Sequence, residues 1–317
     1  MTVPSISVVI PVFNGEKTIK ETILSALQQS FIDFEILVIN DGSQDATLEI
    51  LEKIRDPRLQ IFSYPNVGLA ESRNRGIARA QGEFIAFLDA DDLWTADKLE
   101  SQWQALKNTP DAAVAYSLTN YIDESSQFVK EGQHKVVNGN VLEELLINNF
   151  IENGSNPLIC KQAFERVGEF ESSLKKGEDW DMWLRLAREF HFVAVPAVQV
   201  LYRISDSSMS TDVRDQERQC LKVIDRAFSR VPDSLQSLKQ KSLVNLYRYL
   251  SYKAIEGPPS RQKGVVAARC FWKYIRYNPA LLKQGKMILG MVWRISLMLL
   301  LPPKQAQTLL DLRRPPT

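Results

Sequence analysis

The sequence predicts an α/β fold in which a mostly parallel sheet carries helices on both faces, followed by an α-helical C-terminal region. Short apolar runs typical of strands alternate with segments of helical periodicity over roughly the first 120 residues. Strands that alternate with helices form parallel βαβ units with right-handed crossovers. The runs are nearly continuous, as in Ser7-Val8-Val9-Ile10, which is typical of strands buried on both faces. Beyond Ser210 the pattern is helical throughout.

The individual elements follow from these periods in chain order. Strands are predicted at residues 6–13, 34–39, 59–64 and 84–88, with helices at 16–29, 45–54 and 69–80 between them. A polar segment at 119–139 precedes a helix at 141–149, a strand at 157–160, helices at 161–167 and 179–190, and one or two strands at 192–203. Further helices are predicted at 213–230, 234–255 and 261–277. We place a domain boundary near residue 210, which divides the chain into domains 1–210 and 211–317.

Composition and the N-terminal pattern argue against a nucleic-acid-binding protein and against a secreted one. The 317 residues contain 39 Lys and Arg against 38 Asp and Glu, a balance that gives no support to nucleic-acid binding as the main role. Three widely spaced cysteines form neither a disulfide framework nor a metal-ligand cluster, which suggests a reducing compartment. The N-terminus enters a strand pattern at once, so we expect no secretory signal and a cytoplasmic location.

Small polar and acidic residues follow each of the first four predicted strands. They are Asn14-Gly15, Asn40-Asp41-Gly42-Ser43, Asn66-Val67-Gly68 and Asp89-Ala90-Asp91. Ordinary turn chemistry would explain any one of them. The carboxyl ends of parallel strands meet at one edge of a sheet, where ligands bind. Four such groups at one edge therefore favour a ligand crevice.

The strand at 84–88 runs directly into three carboxylates. Asp89 and Asp91 are two residues apart, so on an extended backbone they point to the same side. Crowded like charges are costly unless a cation neutralises them, and oxygen ligands suit a hard divalent ion that also holds substrate phosphates. The alternative is a polar strand end before a helix that starts near Thr95, and we assign Asp92 to the start of that helix.

A second acidic cluster follows Gly177, at the predicted start of the helix at 179–190. Glu178, Asp179 and Asp181 fall in its first turn, where acidic residues stabilise the positive end of the helix dipole. The functional alternative is that one carboxylate projects into the crevice as a general base. We expect Trp180 to be exposed beside it, as a flat apolar surface for a sugar ring or another substrate.

Five motifs together resemble the family 2 glycosyltransferases. They are Ser7-Val8-Val9-Ile10-Pro11-Val12-Phe13-Asn14, then residues 38–43 with Asp45, residues 66–76, residues 82–92, and Glu178-Asp179-Trp180-Asp181. The resemblance covers about residues 5–205. It implies the GT-A fold, a Rossmann-like nucleotide-binding α/β domain, and inversion of configuration at the anomeric carbon.

The resemblance also implies roles for individual residues. The implied nucleotide-binding residues are Pro11, Val12, Phe13, Asn14, Asp41, Arg73 and Asp89. Asp41 would bond the nucleobase, Asp89 the ribose, and Asp91 together with Asp89 would hold Mg²⁺ or Mn²⁺ against the diphosphate. Asp179 would be the catalytic base, with Glu178 next in line, and Trp180 would contact the acceptor.

The expected function is a metal-assisted single displacement of hexosyltransferase type. The donor would be a nucleotide sugar, which we expect to be a UDP-sugar, and the acceptor a hydroxyl of a glycan or lipid-linked molecule. A dehydrogenase would need Gly-x-Gly-x-x-Gly after the first strand, and residues 14–18 do not supply it. A non-catalytic nucleotide-sugar-binding or membrane-surface scaffold of the same fold is the remaining alternative, against which Asp89, Asp91 and Asp179 argue.

One stretch departs from the family pattern. Members often carry Tyr-Arg-x-His after the base helix, whereas this chain has Tyr202-Arg203-Ile204-Ser205. If that histidine contacts the metal or phosphate, its task here would fall to Arg203 or Asp206. We expect the choice of sugar and acceptor to depend on residues 153–157 and 119–139.

The C-terminal region combines basic and aromatic residues. The basic residues are Lys263, Arg269, Lys273, Arg276, Lys283, Lys286 and Arg294, interleaved with Phe271, Trp272, Tyr274 and Trp293. Residues 287–301 form the most apolar stretch, which is too short to span a membrane and contains Arg294. Two interpretations stay open: a helical cap on the α/β domain, or attachment to an anionic membrane surface on the cytoplasmic side.

Overall fold

A computed structural model describes residues 3–204 and 212–311. These residues divide into two compact units: one comprises 3–145 and 149–204, and the other comprises 146–148 and 212–311. The strands are β1 (Ile6–Val12), β2 (Phe34–Asn40), β3 (Leu59–Ser63), β4 (Phe84–Phe87), β5 (Leu93–Trp94), β6 (Ala112–Ile122), β7 (Phe128–Glu131), β8 (Leu158–Cys160) and β9 (His191–Arg203).

The helices are interspersed with these strands and then follow them. They are α1 (Ile19–Leu27), α2 (Thr47–Glu52), α3 (Leu69–Arg79), α4 (Lys98–Lys107), α5 (Leu142–Ile147), α6 (Lys161–Val167), α7 (Glu178–Glu189), α8 (Val213–Phe228), α9 (Leu238–Lys253), α10 (Arg261–Tyr277), α11 (Gly285–Leu300) and α12 (Pro303–Asp311). Short 3-10 helices lie at Asp233–Leu235 and Pro279–Lys283.

The strands form one sheet in the order β3-β2-β1-β4-β8-β6-β9-β5, with β7 paired to β6. β3, β2, β1 and β4 are parallel neighbours, connected through α1, α2 and α3. β8 runs antiparallel to both β4 and β6, whereas β6 and β9 are parallel. The predicted α/β class is confirmed, and the antiparallel pairings lie in the second half of the sheet.

Helices cover both faces of β1. On one face, Ile10 belongs to a buried cluster with Ile23 of α1 and Leu99 of α4. On the other face, Val9 lies against Gly76 of α3. Adjacent side chains of a strand point to opposite sides of the sheet, so α1 and α4 lie on one side and α3 on the other.

The second unit consists of helices, and the buried carboxylate of Glu217 bonds to side chains from two neighbouring helices. Glu217 of α8 accepts a hydrogen bond from the Tyr247 hydroxyl of α9 at 3.0 Å and from Lys273 Nζ of α10 at 2.8 Å, and it also pairs with Arg269. α11 packs next to α10. No helix among the described residues is both long enough and apolar enough to cross a membrane.

Gly76 provides a test of the packing between α3 and β1. A Cβ at this position would meet both γ-carbons of Val9, and a β-branched residue in a central strand has little freedom to move away. Gly76→Ala should therefore destabilise the protein by about 1–3 kcal/mol. Helix propensity alone would have the opposite effect, a stabilisation of about 1 kcal/mol. The measurement is the midpoint of urea unfolding followed by circular dichroism.

The control for this substitution is Ala78→Gly, at an exposed position of the same helix. It should cost about 1 kcal/mol through propensity alone. A Gly76→Ala protein more stable than the wild type would show that α3 is not closely packed against Val9 at this position.

Candidate active site

The loops that follow β1 and β2 are tied together by hydrogen bonds. The backbone N–H of Asn14 donates to Ser43 Oγ at 3.0 Å, and Asn14 Oδ1 accepts from the N–H of Gln44 at 2.8 Å. Asn14 has a φ of 51°, a left-handed conformation that Asn tolerates better than most residues. Among the predicted pocket residues, Phe13 and Asn14 expose their side chains, whereas Pro11 and Val12 are buried in β1 and reach the crevice only through the backbone.

Asp41 begins the loop after β2 and is buried. Its N–H donates to the carbonyl of Val12 at 2.8 Å, which fixes it beside the end of β1. Its carboxylate accepts from the N–H groups of Val67 and Gly68, the latter at 2.8 Å, and Arg75 lies at 3.4 Å. The carboxylate therefore holds the loop that leads into α3.

The guanidinium of Arg73, on α3, joins two parts of the site. Its Nη2 donates to Asp89 Oδ1 and its Nη1 to Glu178 Oε1, each at 2.7 Å, and the side chain is fully buried. Burial by itself would lower the pKa of Arg73, but the charges of Asp89, Glu178 and Asp179 outweigh it and the pKa is raised. The backbone of Gly154 passes so close that a Cβ there would collide with the guanidinium.

Asp89 and Asp91 lie just beyond the end of β4. The N–H of Asp89 donates to Ser155 Oγ at 3.0 Å, and one carboxylate oxygen takes the bond from Arg73. Asp91 is accessible to solvent but is surrounded by many protein atoms. This desolvation, together with the negative charge of Asp89, raises the pKa of Asp91 from 3.8 to about 6.

Asp92 does not begin a helix, contrary to the sequence-based assignment. β5 follows it, and α4 starts only at Lys98. Asp92 is fully buried, where Oδ2 accepts from the Ser155 hydroxyl at 2.5 Å and Oδ1 accepts from the N–H of Arg203 at 3.0 Å. Burial and the charge of Asp91 raise the pKa of Asp92 well above its usual range. The third carboxylate of the motif therefore connects β9 to the loop at 153–156.

The first turn of α7 supplies the second acidic group. Asp179 is half-buried, and its Oδ1 accepts from the N–H of Trp180 at 2.7 Å. Desolvation and the charge of Glu178 raise the pKa of Asp179 to about 7, although Arg73 acts in the opposite direction. Glu178 is buried and paired with Arg73. Of the two carboxylates, Glu178 and Asp179, it is therefore Asp179 that remains open to a substrate proton.

The expectation of an exposed Trp180 is wrong. Its side chain is only 7% exposed, and its indole N–H donates to the carbonyl of Leu145 at 2.9 Å. The indole packs inward because it lies on the buried side of α7 with Met182 and Trp183. It does not offer a flat surface to a sugar.

Arg203 is also committed to the fold. Its Nε donates to the carbonyl of Asp91 at 2.7 Å, Nη1 to the carbonyl of Asp123 at 3.0 Å, and Nη2 to Glu21 at 2.8 Å. With its guanidinium bonded in this way, it does not replace the expected histidine as a phosphate ligand. Asp206, the other residue considered for that task, and Ser205, which occupies the position of the expected histidine, lie outside the described residues.

Two residues were not predicted to contact or adjoin the acidic cluster. Ser155 bonds both Asp89 and Asp92, and Tyr202 lies near the acidic cluster on β9. Burial and the charges of Asp92, Asp91 and Asp89 raise the pKa of Tyr202, and its ring meets that of Tyr121 edge-on with centroids 5.5 Å apart. The sequence Asn153-Gly154-Ser155-Asn156 does indicate a role for this loop at the site, because its side chains are small and polar like those that follow the predicted strands.

The carboxylates fit a divalent cation that is shared with a substrate. Among residues 3–204 and 212–311, no three His, Cys, Asp or Glu side chains gather as a complete metal site. Mg²⁺ typically binds through one or two carboxylates together with water and substrate phosphates. Asp91 and the second oxygen of Asp89 form such a partial donor set, and their crowded negative charge favours a cation.

The sequence matches a family model described as "Glycosyltransferase like family 2" over residues 7–254. The chain belongs to this family. The family prediction is thereby confirmed, and the chain is placed among transferase enzymes.

Several relatives of this glycosyltransferase are themselves named as glycosyltransferases or as a glucosyltransferase. An uncharacterized glycosyltransferase of Rickettsia typhi is 30% identical over 217 residues, which cover 67% of this chain and 68% of the relative. One from Haemophilus influenzae is 45% identical over 105 residues, and the match spans 42% of its length. UDP-Glc:alpha-D-GlcNAc-diphosphoundecaprenol beta-1,3-glucosyltransferase WfgD of Escherichia coli is 27% identical over 262 residues, covering 79% of this chain and 92% of WfgD.

Solved structures share the fold of this glycosyltransferase. The crystal structure of S. aureus TarS 1-349 in complex with UDP-GlcNAc aligns with a TM-score of 0.56 at 17% identity, covering 89% of this chain and 92% of that one. The complex of the same protein with UDP gives a TM-score of 0.53 at 20% identity.

Replacement of Arg73 tests whether the buried bridge holds the site together. Arg73→Met leaves Glu178 buried without its cation, so we expect a loss of about 3–5 kcal/mol in the free energy of unfolding. The control is Arg79→Met, an exposed position of the same helix whose guanidinium lies over the rings of Phe62 and Tyr64. It should cost about 1 kcal/mol or less. Equal denaturation midpoints for the two variants would contradict the role of the bridge.

Proposed function

We propose that this glycosyltransferase moves a sugar from a nucleoside diphosphate sugar to a hydroxyl of a glycan or lipid-linked acceptor, with inversion at the anomeric carbon. A UDP-sugar is the proposed donor, since WfgD is named for UDP-Glc and TarS was crystallised with UDP and UDP-GlcNAc. The observation that carries the proposal is the Arg73 bridge, which links Asp89 at the strand-end edge to Glu178 next to Asp179.

Asp179 is the proposed general base. A hydroxyl attacks the anomeric carbon more readily when a carboxylate accepts its proton in the transition state. Because its pKa is raised to about 7, Asp179 binds a proton more strongly than an ordinary carboxylate does and is still partly unprotonated at neutral pH. A single displacement needs one such base on the face opposite the leaving group and no enzyme nucleophile, and inversion follows from it.

Asp91 and Asp89 are the proposed ligands of Mg²⁺ or Mn²⁺. Such an ion, when bound, neutralises the negative charge that develops on the departing nucleoside diphosphate. The protein's part is to hold the ligands: Arg73 fixes one oxygen of Asp89, Ser155 accepts the Asp89 N–H, and the Asp91 carbonyl is held by Arg203.

The nucleobase is proposed to bind at the ends of β1, β2 and β3. Asp41 lies between the loops of all three strands, and its carboxylate accepts from Val67, Gly68 and Arg75 out of a capacity of about four hydrogen bonds. Phe13 and Val67 expose apolar side chains in these loops. An apolar surface with one acidic acceptor is suited to a base that presents N–H donors.

The proposed division of labour follows the two predicted domains. Residues 1–210 would bind the nucleotide sugar and carry the chemistry. Residues 211–317 would serve attachment at the cytoplasmic face of a membrane, where a lipid-linked acceptor for polysaccharide or cell-envelope synthesis is found; WfgD, named for a diphosphoundecaprenol acceptor, supports this assignment.

Two isosteric substitutions separate binding from chemistry. Asp91→Asn should abolish the Mn²⁺ dependence of UDP binding, measured by isothermal titration, because it removes a charged ligand. Asp179→Asn should bind UDP like the wild type but lower transfer by about 10²–10⁴-fold, because the amide cannot accept the proton. Transfer is measured as nucleotide release from a panel of sugar nucleotides.

The control is Asp111→Asn, the same change at an exposed surface position. It should leave both binding and transfer unchanged. Near-normal turnover by Asp179→Asn would move the base elsewhere. Absence of Mn²⁺-dependent nucleotide binding in the wild type would favour the non-catalytic scaffold.

The pH dependence of kcat/KM provides an independent test of Asp179. Its carboxyl is protonated below a pKa of about 7, so activity should fall as the pH is lowered through neutrality, approaching tenfold per pH unit in the acid range. Circular dichroism at each pH verifies that the protein stays folded. A rate that stays constant from about pH 5.5 to 8 would be incompatible with a base of this pKa.

A further inference from the structure

The outer side of α11 is apolar, whereas a helix on a protein surface normally presents polar residues to water. Its inner side buries Met291, Ile295 and Met298. On the outer side, Leu289 is 69% exposed and Leu300 is 81% exposed. We call Leu282, Leu289, Val292 and Leu300 the C-terminal apolar face.

The spacing of these residues places them on one side of the helix. Leu289, Val292 and Leu300 follow each other at intervals of three and eight, and Ser296 lies between them on the same side of the helix. Leu282 extends the face into the preceding 3-10 helix and is itself 65% exposed. The partly exposed Trp293 lies beside the stripe.

The charge of this part of the chain is strongly segregated. Residues 257–310 contain nine Lys and Arg and no Asp or Glu, whereas the rest of the chain contains 30 Lys and Arg against 38 Asp and Glu. Lys283, Lys286 and Arg294 are exposed around the C-terminal apolar face. None of the ion pairs between described residues involves these three cations, whereas Arg269 and Lys273 are paired with Glu217.

An apolar stripe bordered by cations is complementary to an anionic lipid surface. The apolar side chains enter the boundary between headgroups and acyl chains, and the cations meet the lipid phosphates. Tryptophan is enriched at that same depth. α11 has 16 residues and is therefore about 24 Å long, short of the ~30 Å needed to span the hydrocarbon layer. A two-fold contact with a second copy would instead bring like charges together.

We propose that the C-terminal apolar face binds the surface of an anionic bilayer, with α11 lying in the plane of the membrane. The inference deepens the proposed function, on which its meaning rests, because a lipid-linked acceptor is located at such a surface. Its test measures binding to vesicles, so its outcome is independent of whether the chain transfers sugar.

The experiment is flotation of the full-length protein with vesicles of phosphatidylcholine alone or mixed with phosphatidylglycerol. The wild type should float with the anionic vesicles, and salt should weaken this binding. Leu289→Gln with Val292→Gln should reduce the partition coefficient by about tenfold or more. Lys283→Gln with Lys286→Gln and Arg294→Gln should reduce it by about fivefold for each cation on anionic vesicles, with little effect on neutral ones.

Matched controls come from exposed positions of the first unit. Ile32→Gln with Phe128→Gln removes exposed apolar residues, and Lys17→Gln with Lys20→Gln and Lys53→Gln removes exposed cations. Both controls should float like the wild type. If circular dichroism shows that the α11 double variant is unfolded, Leu300→Gln at the last residue of α11 provides the apolar test.

Three results would overturn the proposal. They are a wild type that stays with the soluble fraction, apolar variants that float like the wild type, and controls that lose binding to the same extent as the α11 variants. A dimer in light scattering that dissociates in the α11 double variant, without any binding to vesicles, would assign the face to a second copy.

Discussion

The buried ion-pair bridge at Arg73 is the interaction on which the acidic edge of the first unit depends. A guanidinium without solvent needs its charge balanced inside the protein, and Asp89 and Glu178 provide that balance from positions 16 and 105 residues away. Arginine suits this task better than lysine, because its planar fork donates to two carboxylates at once. The ring of Phe170 lies 5.3 Å from the guanidinium carbon and covers it. One side chain thus sets the relation between the end of β4 and the start of α7.

Arg203 holds a second part of the acidic edge, in addition to the Arg73 bridge. The carboxylates at this edge fall into two groups. Asp92 and Glu178 are buried and bonded, so they hold strands and helices in position. Asp91 and Asp179 retain access to solvent and have raised pKa values of about 6 and 7. Charges left partly uncompensated in this way cost stability in the free protein and favour binding of a cation or a proton. The arrangement is what the proposed reaction needs.

Strand-end chemistry and hydrophobic periodicity were sufficient to predict much of this architecture. The strands at 6–13, 34–39, 59–64 and 84–88 have long apolar runs, and they agree with β1 to β4 within two residues at each end. β5 is two residues long and all of β7 is exposed, so neither strand shows a hydrophobic periodicity in the sequence. Trp180, Asp92 and Arg203 were misjudged for a related reason. Whether a polar or aromatic residue faces a crevice or a core depends on distant partners such as Leu145 and Ser155, which local pattern does not contain.

The place of β9 in the sheet has a consequence for how the first unit is made. β9 is the last strand in sequence, yet it lies between β6 and β5 and pairs with both. Among the described residues, the only sheet neighbour of β5 is β9, which is synthesised about a hundred residues later, and Asp92 precedes Arg203 by a similar interval. Pairing over such separations makes folding slow. Completion of the sheet and of the acidic edge therefore requires residues 191–203 and can begin only after they have been synthesised.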